Sequence, residues 1–468
     1  MSKSRIVVDS VHGDIEPNEL EWQLIDTPAF QRLHKLKQLQ MGYLVYPNAT
    51  HTRFAHSLGV LKVMQRLLEK VGDINDQERK DLRLAALLHD LGHYPYSHLL
   101  EKVDSVILTE KLLGPSSSEA IEPYPDHEEL GAAILESQKG SKEFPLRGGE
   151  QIDRICDLFL GKGENGCLSK LLHSNLDMDR IDYLTRDSQG TGVPYGKVDI
   201  NYLLNNIKLS KKGVVGISHK AIGAAEHLLL ARSLLFRVVY QHKTVVAFET
   251  AACHLVRRLR DRSRKCGEGY GVPKCGNEVI SIVKNPFQLQ DFNDAYLDRI
   301  FVKASEDHDP LIRALAESII KRRPAELIFE KKLFAFRKDA KKTQKLSEYF
   351  LKERLRECID SYKIKPGQLL LCLLKPVGFE SRPYAISRQE AKGLKPSEET
   401  EMIQVFPDAT ADEPKDIVDI EYSLLHQIGG HVFQSIRLYF LPIGDQDTVE
   451  ALKEKARKWD IENGHENE

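Results

Sequence analysis

The stretch Leu84-Ala-Ala-Leu-Leu88-His89-Asp90-Leu91-Gly92-His93-Tyr-Pro95-Tyr-Ser-His98 says most about this chain. Leu84–Leu88 is apolar on most sides and reads as a central helix spanning about Asp81 to Leu91, broken by Gly92 and Pro95. The doublet His89-Asp90 therefore falls at the end of a hydrophobic helix, with His93 and His98 just beyond it. Two such groups buried without partners are costly. A divalent cation removes that cost, because neutral imidazole and carboxylate are both suitable ligands for Mn, Fe, Zn or Mg. Neighbouring side chains on a helix point about 100° apart, so His89 and Asp90 reach one ion only where the helix ends or lies across the site.

Two further segments supply the remaining ligands of such a site. Thr52-Arg53-Phe-Ala-His56-Ser57 opens a helix that runs to Val71, and Leu176-Asp177-Met-Asp179-Arg180-Ile-Asp182-Tyr183 lies on a later one. His56 and one of these aspartates would complete a His-His-Asp-Asp set. Six of the 17 histidines (51, 56, 89, 93, 98, 127) fall between residues 51 and 127, where even scatter predicts about three. A single histidine is more often a capped or core residue than a ligand, so the case rests on the combination.

The 468 residues, 41% hydrophobic and 29% charged, have globular composition and suggest two to three domains. Asp26-Thr27-Pro28 reads as a helix start, followed by an apolar stripe at 30, 33, 36 and 39. Further helices are expected at 128–137, 150–159, 166–187 and 218–263, with a β-hairpin near 204–217 and a loop at 190–196. That loop lacks the Lys-Ser/Thr of a P-loop. Beyond about 335 the texture changes, and Leu369–Leu374, Ile403–Phe406 and Phe433–Tyr439 read as strands. The expected class is mainly α: a helical core over 1–340 and a smaller α/β domain over 341–468.

Charge and cysteine usage exclude several classes. Lys and Arg total 67 against 69 Asp and Glu, so overall charge alone does not make the chain a polyanion binder, and any nucleic-acid contact would come from a local patch. The N-terminus has no apolar leader and no run approaches 18 apolar residues, so neither a signal peptide nor a membrane helix is expected. Seven cysteines, none spaced Cys-x-x-Cys, fit reduced thiols and a cytoplasmic location. Arg257–Lys265, with six basic residues in nine, and Lys331–Lys345 are candidate contacts for single-stranded nucleic acid; such runs are more often solvated helix faces.

Together these segments resemble the HD-domain phosphohydrolases, and more closely their deoxynucleoside triphosphate (dNTP) triphosphohydrolase branch. The similarity runs in order over about 5–335, through Ile25–Leu33, Lys37–Leu39, Thr52–Val60, Leu87–His98, Asp126–Glu128, Leu176–Asp187 and Tyr240–Lys243. It implies an HD-domain helical fold and a metal-dependent enzyme releasing a deoxynucleoside and inorganic triphosphate. By that resemblance His56, His89, Asp90 and Asp179 are the metal ligands. Asp179 is preferred over Asp177 and Asp182 because it precedes the basic residue of the Asp-Arg/Lys-x-x-Tyr match. Arg53, Arg180, Tyr183 and Arg232 hold the triphosphate, a task suited to the fixed donor fork of Arg. Gln38, Leu39, Asp187 and Tyr240 surround the deoxyribose. His93, His98 and His127 sit beside the metal, His98 or His127 protonating the leaving 5′-oxygen and Glu101 orienting one of them. The family also implies a homo-oligomer, dimer or tetramer, and a nucleotide activator. Asp26 and Gln31 match the activating guanine site of the vertebrate member, whereas Val8, His34 and Ala224 depart from it. Two other readings stand beside this one: a phosphodiesterase or 5′-nucleotidase using the same metal site, and a non-catalytic nucleotide- or nucleic-acid-binding regulator.

Overall fold

The computed structural model describes residues 5–72, 74–106, 122–141, 144–146, 148–162, 166–172, 174, 176–210, 214–336, 352–374, 377–378, 403–407 and 413–464. It is mainly helical, with small sheets. The 340/341 boundary read from the sequence lies outside the described residues, as does the basic run from 337 to 345.

Helix α1 (Arg53–Leu68) starts on Thr52, whose side chain accepts the Ala55 N–H. Helix α2 (Asp76–Leu88) starts on a capping box of Asn75 and Glu78 and ends with His89 as its C-cap. These two helices pack on each other, and α1 also packs on α5 (Met178–Thr191). Helix α4 (Gly149–Leu160) packs on α2, and α3 (His127–Ser137) packs on α4. The chain then runs through α6 (Ile222–Leu235) and α7 (Lys243–Cys266) to α8 (Asp294–Ala304) and α9 (Pro310–Ile320), with α9 packed on α7. One apolar core, from Ile15 through Leu67, Leu87 and Leu255 to Leu315, joins them.

A hairpin of β1 (Val7–Asp9) and β2 (Gly13–Ile15) precedes the helices. Strand β3 (Ile207–Leu209) pairs antiparallel with β4 (Val215–Ser218), which pairs in parallel with β8 (Gln404–Phe406); β9 (Lys415–Asp416) closes that sheet. In the other sheet β10 (His431–Phe440) lies between β5 (Glu326–Phe336) and β6 (Leu369–Leu373), with β7 (Val377–Gly378) also on β10. Helix α10 (Thr448–Gly464) packs on β5, and Trp459 is buried against Phe329. Among the described residues no helix is long and apolar enough to cross a membrane.

Three helix expectations need correction. The stripe at 30–39 is not one helix. Pro28–Gln31 is α-helical behind the Thr27 cap, Arg32–Lys35 is 3-10, and Leu36 is extended. Long-range contacts override the periodicity: the Lys37 N–H goes to Asp294 and the Gln38 N–H to the His51 carbonyl. The 166–187 helix is interrupted before Asp177, which caps α5 by accepting the N–H groups of Ser174 and Arg180. The 218–263 helix is two helices, separated by a π-helical turn over Phe236–Tyr240. The 190–196 loop is shorter than expected, because α5 continues to Thr191.

Candidate active site

The end of α2 presents His89, Asp90 and His93 together because the helix stops there. The His89 N–H still bonds the Ala85 carbonyl, while the Leu91 and His93 N–H groups make tight turn bonds to Leu88 and Asp90. Gly92 is required at this turn: a Cβ would lie 1.9 Å from the His127 carbonyl oxygen on α3. Buried Arg32 clamps the turn from below, donating to the carbonyls of Leu91, His93 and Phe292. Burial pulls its guanidinium down to about 9, against the pull of Asp294.

His56 and His89 bring their Nε2 atoms to one carboxylate oxygen, Asp179 Oδ1, at 2.8 and 3.7 Å. Asp90 approaches from the other side, Oδ2 lying 3.6 Å from His56 Nε2 and Oδ1 3.3 Å from His89 Nε2. Both Nε2 atoms are buried and neither makes a well-aligned hydrogen bond; their near neighbours are the carboxylate oxygens of Asp179 and Asp90. Their Nδ1 atoms are engaged, His56 with Asp182 at 2.7 Å and His89 with the Ala86 carbonyl at 3.0 Å. Those acceptors put the proton on Nδ1 and leave an Nε2 lone pair facing the centre. Two inward lone pairs and two carboxylates fit a divalent cation bound at about 2.1 Å. Without one, burial pulls the His56 imidazole down, but Asp179, Asp182 and Asp90 outweigh it and lift it to about 10. Asp90 is held well below the carboxylate range: burial raises it, and Arg53, His89 and His93 overcome that.

Three aspartates at the start of α5 have separate duties. Asp177 caps the helix, and burial pushes it up to about 7 despite Arg180. Asp179 faces the imidazoles. Asp182 is fully buried behind His56 and bonds Arg186 through both oxygens, each at 2.8 Å.

Beside the His-Asp turn, Glu101 holds two imidazoles at once, His98 Nδ1 and His127 Nδ1, each at 2.9 Å. The sequence led us to expect one. The His93 ring stacks on His127 with centroids 4.1 Å apart, and His93 Nε2 lies 2.9 Å from Asp90. Burial opposes protonation of His127, but Glu101 overrides it and raises the ring to about 9. Partial desolvation holds half-buried His98 below its ordinary value. Tyr96 and Ser97, which lead into His98, both have φ of 55°. This strained turn is fixed by the Tyr96 N–H on Asp294 and by Ser97, which accepts from Arg53 and donates to the Lys37 carbonyl.

The other expected residues lie around this centre. Arg53 reaches Asp90 at 3.0 Å and is 3.5 Å from His98 Nε2. Arg180 is 3.2 Å from Asp177. Arg232, held below its ordinary value by burial and then by Arg180, contacts Tyr183. Tyr183 packs edge-on against Tyr240, whose hydroxyl donates to Asp187 Oδ2 at 2.6 Å. Gln38 is buried with its Oε1 unpartnered, and Leu39 is half-buried against the core. Sequence reasoning gave His51 no role, yet its Nε2 bonds Asp187 Oδ1 at 2.7 Å. Gly190 makes room for that ring, as a Cβ there would lie 2.4 Å from His51 Nδ1. Nothing local could have revealed the pair, whose members are 136 positions apart.

The basic run 257–265 is largely used internally. Arg257 and Arg260 both bind Asp104, at 3.1 and 2.6 Å, and fully buried Arg260 also lies over the Tyr124 ring. Arg262 binds Asp307 at 2.6 Å.

Comparison with known proteins matches residues 53–187 to the HD domain and 198–259 to the HD associated region. An uncharacterized protein of Methanocaldococcus jannaschii is 35% identical over 249 residues, 53% of this chain and 48% of that one. An uncharacterized Bacillus subtilis protein is 29% identical over 69% of this chain and 71% of its own. The human deoxynucleoside triphosphate triphosphohydrolase is 29% identical over 57% of this chain and 46% of its own length. Except for the Bacillus protein, the matches thus span about half of these relatives. A phosphohydrolase from Bacteroides thetaiotaomicron has the same fold, with TM-score 0.69 and 22% identity over 93% of this chain and 100% of that one. An Aquifex aeolicus protein gives 0.67 at 24% identity, over 97% and 99%.

Proposed function

We propose that this chain, which belongs to the HD-domain family in its dNTPase-like branch, is a metal-dependent dNTP triphosphohydrolase. The observation that carries the reading is the pair of buried Nε2 atoms of His56 and His89, without aligned hydrogen bonds, facing Asp179 and Asp90, with Arg53 on Asp90 and with Arg180 acting on Arg232. A divalent cation held by those four residues would supply a water of lowered pKa and polarise the α-phosphate.

The rest falls to the chain's own side chains. Arg53 is braced by Ser97 and Asp90 and donates to an α-phosphate oxygen. Burial, and then the neighbouring Arg180, disfavour the Arg232 charge, which an anion bound there would relieve; with Tyr183 these two arginines hold the β- and γ-phosphates. His127 carries a proton at neutral pH because of Glu101 and is the first candidate to protonate the 5′-oxygen, with His98 the alternative. Asp187, fixed by His51 and Tyr240, accepts the 3′-hydroxyl together with Gln38. Leu39 and Tyr240 close off C2′, so a ribose would bury an unpaired hydroxyl at about 1–3 kcal/mol, roughly tenfold or more in selectivity.

The test is incubation of the protein with each of the four dNTPs and Mn²⁺ or Mg²⁺, with and without a second nucleotide. Inorganic triphosphate is the expected product; orthophosphate or pyrophosphate in its place refutes the reaction. Asp179→Ala should lose bound metal and activity together.

A further inference from the structure

We propose that His12, on the N-terminal hairpin, is a positioning residue for the metal ligand His56, acting through Asp182. The hairpin lies outside both matched regions, 53–187 and 198–259. The Asp9 carboxylate accepts the N–H groups of Val11 and His12 at 3.0 and 2.9 Å and so shapes the turn that presents His12. His12 Nε2 then meets Asp182 Oδ1 at 2.7 Å, with both side chains at most 1% exposed. The other oxygen of Asp182 takes His56 Nδ1, also at 2.7 Å. Arg186 bonds both Asp182 oxygens and reaches back to Asp9 at 2.8 and 3.2 Å, closing a ring of contacts between hairpin and α5.

The arrangement fixes one rotation of the Asp182 carboxylate. Gly59 of α1 lies against Oδ1, leaving no space on that side. His12 and Arg186 hold Oδ1, so Oδ2 is aimed at His56 Nδ1, and Nε2 is turned toward Asp179 and Asp90, where it would serve as a metal ligand. Two carboxylates and one guanidinium also leave one net negative charge behind the imidazole, which strengthens Nε2 as a donor. This inference rests on His56 being a metal ligand and is independent of the substrate.

The experiment is calorimetric titration of the metal-free full-length chain with Mn²⁺ at fixed pH, with thermal unfolding as a check of folding. His12→Ala should weaken Mn²⁺ binding by roughly tenfold, the lower end for residues behind a ligand. His12→Gln, whose amide nitrogen reaches the same carboxylate oxygen, should recover most of the loss. Should the alanine variant fail to fold, His12→Asn, too short to reach Asp182, replaces it in the comparison with His12→Gln. Folded variants that bind Mn²⁺ as the wild type does, or a glutamine variant no better than the alanine or asparagine one, would overturn the role of His12. A wild-type chain that binds no Mn²⁺ would overturn the ligand assignment and this inference with it.

Discussion

Gly59→Ala is a one-carbon change whose sign separates two accounts of α1. At an unobstructed helix position alanine is about 1 kcal/mol more favourable than glycine. Here the added Cβ would lie 1.9 Å from Asp182 Oδ1 and 2.4 Å from Arg186 Nη2. The carboxylate would have to retreat by about 1.5 Å to reach ordinary van der Waals contact. Its four hydrogen bonds, at 2.7–2.8 Å, cannot stretch that far and survive. Overpacking costs about 1–3 kcal/mol, and each lost hydrogen bond to a charged group about 1.5–3 kcal/mol. Partial relaxation of α1 against α5 would leave a net loss of about 3–5 kcal/mol. Scanning calorimetry should show a Tm lower by roughly 10 °C, taking 2–4 °C per kcal/mol. Because Asp182 would no longer hold His56, Mn²⁺ affinity should fall as well. A variant with unchanged or higher Tm and wild-type Mn²⁺ binding would refute the claim that the two helices are locked through Asp182.

Three other outcomes follow from the geometry. His51→Ala should slow hydrolysis of a dNTP roughly tenfold, with no comparable loss on the 2′,3′-dideoxy substrate, since His51 acts through Asp187 on the 3′-hydroxyl; equal losses on both substrates would disprove that route. The raised His127 contributes stability that is full below about pH 6.5, its ordinary value, and is lost as pH rises to about 9. Glu101→Gln should remove that alkaline slope, visible as urea midpoints that converge with wild type near pH 9. Arg260→Ala should destabilise the fold by about 2–4 kcal/mol, by emptying a fully buried site and leaving the Lys274 and Glu122 carbonyls without their donor while Asp104 keeps Arg257, whereas a nucleic-acid role for the run predicts normal stability and weaker binding to single strands.

What could be read in advance depended on how far apart the partners lie. The His-Asp turn is local: an apolar helix, a stop and a glycine. The Thr52 start of α1 and the strands after 369 are local patterns too. His12 and His51 gave no comparable signal, because each is paired with an aspartate more than a hundred positions away. The same distance misled the reading of residues 30–39, where Asp294 and His51 capture backbone donors that a helix needs. The run 257–265 looked like a surface patch because its acids, Asp104 and Asp307, are remote in sequence. Asp177, Asp179 and Asp182 were told apart only by resemblance, and in the fold their different neighbours separate them: backbone N–H groups, imidazoles and an arginine.

The parallel pairing of β4 with β8 bears on the order in which the chain can assemble. Gly216 sits opposite Gln404, so one edge of β4 waits for a segment made nearly 190 residues later. The helices that carry His56, His89 and Asp179 are complete long before then. A nascent chain would therefore hold a nearly formed centre beside an uncovered strand edge, and β5 would wait likewise for β10. Contacts of such sequence separation close slowly, and open edges invite pairing with the wrong chain. Misassembly during synthesis should thus begin at these two sheets, while the helical site is the part that tolerates delay.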